Sequence, residues 1–186
     1  MRKCVLFLLI FVLASCGQEP SQTKLQDYPP VKKMIKIYRT LSFDPVKFVK
    51  IIGKGWSIME QDERSLSLTE IDLNKVSLET YLKTGEKFIK GEEKLRREKQ
   101  DKQIRLDAGI LLTLWVKQDS IPESWKEKVN GKTKYIFFDG TILQRSDGRR
   151  YVLCLCWVNN KWRWSCYWLG NTFKTHDPSV LLANQS

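Results

Sequence analysis

Histidine is almost missing from this sequence: His176 is the single one among 186 residues. It stands in Lys174-Thr175-His176-Asp177-Pro178, ahead of a helix-start signal, and reads as a loop residue. No set of histidine, cysteine and carboxylate has the spacing of a metal site, so neither metal nor cofactor is expected. No Ser/His/Asp set and no phosphate-binding glycine loop is present, so no catalytic residue is assigned. The carboxylates Glu60, Asp62 and Glu63 read as a polar turn. Long apolar runs are also missing. The longest, residues 5–14 (VLFLLIFVLA), is about half of the roughly 20 residues that a spanning helix needs. Acidic residues are scarce beside basic ones, 21 against 32.

What the chain does have begins at its start. Arg2 and Lys3 precede the short apolar run, and small residues then precede Cys16, the layout of a secretory signal. Leu13-Ala14-Ser15-Cys16 resembles the lipobox of bacterial lipoproteins, Leu-(Ala/Ser)-(Gly/Ala/Ser)-Cys. The resemblance covers residues 1–17 and says nothing of the fold beyond them. It implies that the Cys16 thiol receives a diacylglyceryl group, that residues 1–15 are removed, and that the new amine is acylated, for instance with palmitate. Two or more chains of this kind give stable anchoring, where one gives a marginal hold. Gly17 in place of an aspartate implies the outer membrane, if the host has one. Cys4 lies in the removed segment.

Without Arg2 and Lys3, 30 basic residues face 21 acidic ones, a net charge of +9. Such a chain is drawn to anionic lipids, phosphorylated glycolipids or anionic cell-wall polymers. Residues 17–30 (GQEPSQTKLQDYPP) are polar and proline-bearing, and read as a tether spanning roughly 20 Å. The expected organisation is a signal at 1–15, a lipidated cysteine and tether at 16–30, and one globular domain at 31–186.

Val31, Met34, Ile35, Tyr38 and Leu41 recur at helical spacing, with Lys32, Lys33, Lys36 and Arg39 opposite, which predicts a basic amphipathic helix. Asp44-Pro45 predicts a second helix start, with Val46, Phe48, Val49 and Ile52 on its buried side. Residues 56–80 show broken alternation and read as strand-like. Residues 80–106 carry the pairs Glu92–Arg96, Glu93–Arg97 and Glu98–Lys102, which predict a solvated helix weakened by Gly85 and Gly91. Residues 108–116 (AGILLTLWV) read as a buried strand, and Ile121-Pro122 as the start of a short helical or turn segment ending at Asn130-Gly131.

From Lys134 the turn signals are dense. Asp139-Gly140, Asp147-Gly148 and Asn159-Asn160 divide the segment into a four-stranded antiparallel meander. Two-residue turns place Trp157 opposite Trp162, Leu155 opposite Trp164, Leu153 opposite Cys166 and Ile142, and Ile142 opposite Phe137. One face then holds Tyr135, Phe137, Ile142, Leu153, Leu155, Trp157, Trp162, Trp164, Cys166 and Trp168. The other, expected to meet water, holds Arg145, Arg150, Arg163, Ser165 and Tyr167, although Ile136, Leu143 and Val152 lie there too. This register forbids a cross-strand disulfide among Cys154, Cys156 and Cys166, and Cys166 is expected buried and reduced. Asp177-Pro178 predicts a short closing helix over 180–183.

The fold class that follows is α+β: N-terminal helices packed on a C-terminal four-stranded antiparallel meander. The expected function is a lipid-anchored cell-envelope protein, non-catalytic, binding a protein partner or an anionic envelope component. Arg145, Arg150, Arg163 and Tyr167 are its candidate ligand-binding residues and Cys16 its lipidation site. An envelope hydrolase and a surface nucleic-acid binder are the alternatives. The second is disfavoured, because acidic residues interleave with the basic ones. The tryptophans from 157 to 168 could stack sugars or bases, but their alternation favours a core role.

Overall fold

A computed structural model describes residues 34–40 and 55–183. The signal, Cys16, the tether and the helix expected after Asp44-Pro45 lie outside the described residues. Lys32–Ser186 is a compact unit.

The expected arrangement of helices on a four-stranded meander is overturned. The centre is a mixed seven-stranded sheet with strands drawn from both halves of the chain. Its strands are β2 (Trp56–Gln61), β4 (Val76–Glu79), β6 (Ile104–Arg105), β7 (Tyr135–Arg145), β8 (Arg150–Val158), β9 (Lys161–Trp168) and β11 (Ser179–Leu182). The main path runs β4-β11-β7-β8-β9, with β2 added to β7 and β6 to β11. Two small ribbons flank it, β1 (Met34–Lys36) with β3 (Glu70–Asp72), and β5 (Ile89–Lys90) with β10 (Thr172–Phe173). The helices are α1 (Glu63–Leu66), α2 (Gly91–Glu98) and α3 (Ala108–Val116).

Four local expectations fail for identifiable reasons. The helix expected from residue 31 is a strand at Met34–Lys36, where Ile35 pairs with Ile71 and both are buried. Residues 108–116 are a helix rather than a strand. Asp107 caps it, accepting from the N–H of Gly109 at 2.6 Å and of Ile110 at 3.3 Å. A helix apolar on all sides must be buried, and Ile110, Leu111 and Leu114 are. The closing helix over 180–183 is instead the strand β11. Its four residues are all buried, between β4 on one side and β6 and β7 on the other. The helix expected over 80–106 shrinks to α2, because β5 precedes it and β6 follows. Gly91 opens α2 because a Cβ there would overlap the Phe173 ring and the Leu169 carbonyl.

The meander has three strands rather than four. Asp139-Gly140 is no turn: it lies inside the eleven-residue β7, at a register shift between Phe138 and Ile142. Gly140 is needed there because any Cβ would overlap the Arg105 carbonyl oxygen. The β7–β8 turn holds three residues, Ser146-Asp147-Gly148, with Gly148 at φ +82° and its N–H donating to the Arg145 carbonyl at 2.9 Å. Ile142 therefore faces Val152 and not Leu153. A slip of one residue moves side chains to the other face. The β8–β9 turn has the expected length, with Asn159 and Asn160 at φ +52° and +56°. Trp157 faces Trp162, Leu155 faces Trp164 and Leu153 faces Cys166.

The sheet consequently carries a core on each face. One holds Phe138, Leu143, Leu153, Leu155 and Trp162 under α3. The other holds Phe137, Ile142, Val152 and Cys154 beneath α2 and the β5–β10 ribbon. The face expected to meet water is thus covered in its middle. Truncating Phe137, which is fully buried, would cost about 3–5 kcal/mol.

Candidate functional site

The residue types that carry chemistry meet in the interior, under α2. Lys94 and Glu98 are one helical turn apart and both are buried. Asp139 comes from the middle of β7 and Ser179 opens β11. The Lys94 Nζ lies 3.0 Å from Asp139 Oδ2 and donates to Ser179 Oγ, which in turn donates to Asp139 Oδ2. Phe137 and Phe173 wall the ammonium, with ring centroids at 5.2 and 5.0 Å. Both oxygens of Glu98 are buried without a hydrogen-bond partner. Burial first, and then the Asp139 charge, push its carboxyl well above the usual carboxylate range. Both effects favour the protonated form of Glu98.

A serine hydrogen-bonded to lysine and aspartate has the composition of a nucleophile site. Lys94, Glu98, Asp139 and Ser179 are each at most 2 % exposed, so no substrate reaches them in this conformation. The cluster works as a clamp between α2, β7 and β11. A chain of charge leads from it to the surface. The Arg105 Nη1 donates to the Asp139 carbonyl at 3.1 Å, and its Nη2 reaches Glu60 at 3.2 Å. Glu60 also meets Lys99 at 2.7 Å and Arg150 at 3.7 Å. Burial alone would raise the Glu60 pKa; Lys99 and Arg105 outweigh it and hold the carboxylate below its usual range.

Where that chain surfaces, a groove of about 270 Å³ is lined by Glu92, Leu95, Arg96, Lys99 and Arg150. Arg150 crosses from the start of β8 and meets Glu92 at 2.8 Å. Its Nε is buried with no hydrogen-bond partner. Arg96 is held by Glu93 at 2.6 Å. Arg150 thus borders a concavity with two other cations, Arg96 and Lys99. The remaining three candidate binding residues are not gathered with it. Arg145 is on the opposite face, its guanidinium 5.8 Å from the Trp56 ring centroid. Arg163 is exposed opposite Cys156, six residues along β8 from Arg150, or about 20 Å. The Tyr167 ring packs against the second core, edge-on to Phe137 and Phe173 at 5.6 and 5.1 Å, and is half-buried.

Two further features bear on chemistry. Arg39 donates to both oxygens of Asp107, at 2.9 and 3.0 Å, and to the carbonyls of Ser65 and Leu68, fastening the β1 segment to the cap of α3. Cys154, Cys156 and Cys166 are free thiols; Cys154 and Cys156 are buried and Cys166 half-buried. Among the tryptophans, Trp162 is buried but Trp168 is 40 % exposed, against the expectation that both sit in the core. Among the described residues, no group of three or more His, Cys, Asp or Glu side chains is placed to hold a metal ion. No helix among them is long and apolar enough to cross a membrane.

Sequence reasoning missed Lys94, Glu98, Asp139 and Ser179, and it placed Arg96 and Lys99 on a solvated helix. The Lys94–Glu98 spacing and the run Phe137-Phe138-Asp139 were the available signals. Comparison with protein-family models, curated proteins and solved structures returns no match for this chain.

Proposed function

We propose that this is a lipid-anchored, non-catalytic protein of the bacterial cell envelope, attached at Cys16, which binds an anionic partner through the groove beside α2. The observation that carries the binding half is Arg150. Its two terminal nitrogens are held by Glu92 and Glu60, while its buried Nε has no acceptor, and Arg96 and Lys99 stand around the same groove. The lipobox at residues 13–16 supports the anchoring half, and the net charge of +9 left without Arg2 and Lys3 supports attraction to anionic surfaces.

The carboxylates lining the groove compete with the ligand, which yields a test with two signs. Polyphosphate is the probe, titrated calorimetrically against the protein. Arg150→Gln is expected to weaken binding at least about tenfold, or 1.4 kcal/mol. Glu92→Gln is expected to strengthen it, because it frees Arg150. Unchanged affinity in both variants would remove the groove from consideration.

A further inference from the structure

The tryptophans singled out in the sequence are absorbed by the cores only in part, and Trp157 is the informative exception. A recess of about 130 Å³ is lined by Gln118, Asp119, Glu123, Lys126, Trp157 and Trp162. Its aromatic wall is rigid. Trp162 is 3 % exposed and meets Trp157 edge-on, with centroids 5.4 Å apart. Trp157 itself is partly exposed. Its rim comes from two short 3-10 turns, Gln118–Ser120 and Glu123–Lys126, the second anchored by the buried Trp125. Gln118 and Asp119 make no side-chain hydrogen bond or ion pair among the described residues. Lys126 is held by Glu123 at 2.7 Å, and its ammonium lies 4.3 Å from the Trp157 ring centroid.

We propose that this recess is a saccharide subsite for one pyranose ring. Three features fit that ligand class together. The volume matches a single sugar ring. The Trp157 face offers a flat apolar surface for the C–H side of the ring. The unpartnered amide of Gln118 and carboxylate of Asp119 supply a donor and acceptors for vicinal hydroxyls, the division of labour of an apolar site with a few placed polar groups. Lys126 lies across the face that the sugar would use. It acts as a gate: the ring displaces the ammonium from Trp157, and Glu123 keeps the lysine as its counterion. The recess shares no lining residue with the Arg150 groove, so this subsite is independent of the anion-binding reading.

The probes are N-acetylglucosamine, its β-linked oligomers and tetramethylammonium, followed by tryptophan fluorescence and amide chemical shifts. A single ring is expected to bind with Kd on the order of 1 mM, and oligomers no weaker. Trp157→Ala should abolish the signal. Asp119→Ala, which removes no hydrogen bond or ion pair among the described residues, should weaken binding about tenfold with folding unchanged. Lys126→Ala should strengthen binding several-fold by clearing the ring face, and Arg150→Gln should leave it alone. Absence of any shift with sugar would overturn the proposal, as would equal affinity in the Asp119→Ala variant. Binding of tetramethylammonium in place of sugar would show a cation site and overturn it too.

Discussion

Replacing Asp139 by Asn keeps the shape of the interior cluster and removes one charge. The Lys94 ammonium, 2 % exposed, then loses the carboxylate 3.0 Å away. Breaking a buried pair from one side costs about 3–5 kcal/mol, because the remaining charge is left uncompensated. With an unfolding slope of about 2 kcal/mol/M, the urea midpoint falls by roughly 2 M. The neighbour modifies this figure. Burial and the Asp139 charge raise the Glu98 pKa in the native protein and favour its neutral form. With that charge gone its pKa drops, and it ionises against Lys94. Between the Glu98 pKa of the variant and that of the parent, the parent's folded state holds a proton that the variant's does not. The deficit therefore shrinks as pH rises, by up to about 1.4 kcal/mol per pH unit. Urea titrations followed by far-ultraviolet circular dichroism at about pH 5 and about pH 8 measure both effects. The single variant should show the larger deficit at the lower pH. Measured against Glu98→Gln, the double variant Asp139→Asn/Glu98→Gln should show the same deficit at both. A deficit below about 1 kcal/mol at about pH 5, or one that ignores pH in the single variant, refutes the account.

The Glu98→Gln variant alone should gain stability on the alkaline side. In the parent, the unfolded chain releases the Glu98 proton above about pH 4.3 while the folded state retains it, so stability falls as pH rises; the variant lacks that slope, which thermal melts across pH will show. Asp107→Ala removes the α3 cap and leaves Arg39 without its carboxylate, and should cost about 3–5 kcal/mol by denaturant titration. Gly140→Ala forces a methyl against the Arg105 carbonyl oxygen, and should lower the melting temperature by several degrees or more, a cost of about 1–3 kcal/mol being ordinary for such overpacking. Cys16→Ser should leave the protein unlipidated and off the membrane; if fractionation still recovers it there, the anchoring proposal fails.

The partition between sequence and tertiary structure is clear at particular residues. Asn159-Asn160 could be read directly, because a type I′ turn demands positive φ at two successive positions and few residues tolerate it. The β8–β9 register followed from that turn. Asp147-Gly148 misled by one residue, because glycine also serves the three-residue turn, and that single slip exchanged the faces of Phe137 and Ile142. Asp139-Gly140 carried the same turn signature but was fixed by distant neighbours. Its glycine makes room for the Arg105 carbonyl, 35 residues earlier in the chain, and its aspartate answers Lys94. Residues 108–116 are compatible with either helix or strand, and the Asp107 cap with complete burial chose the helix. Arg150 was legible as a candidate because the turn register put it on the face expected to meet water. The companions Arg96 and Lys99 were not, because only the packing of α2 against the sheet brings them to it. Local backbone chemistry therefore determined the tight turn and its register, while tertiary structure decided everything that depended on which elements pack together. The clamp, the groove and the recess all belong to that second class, since each is built from residues that meet only when the sheet closes.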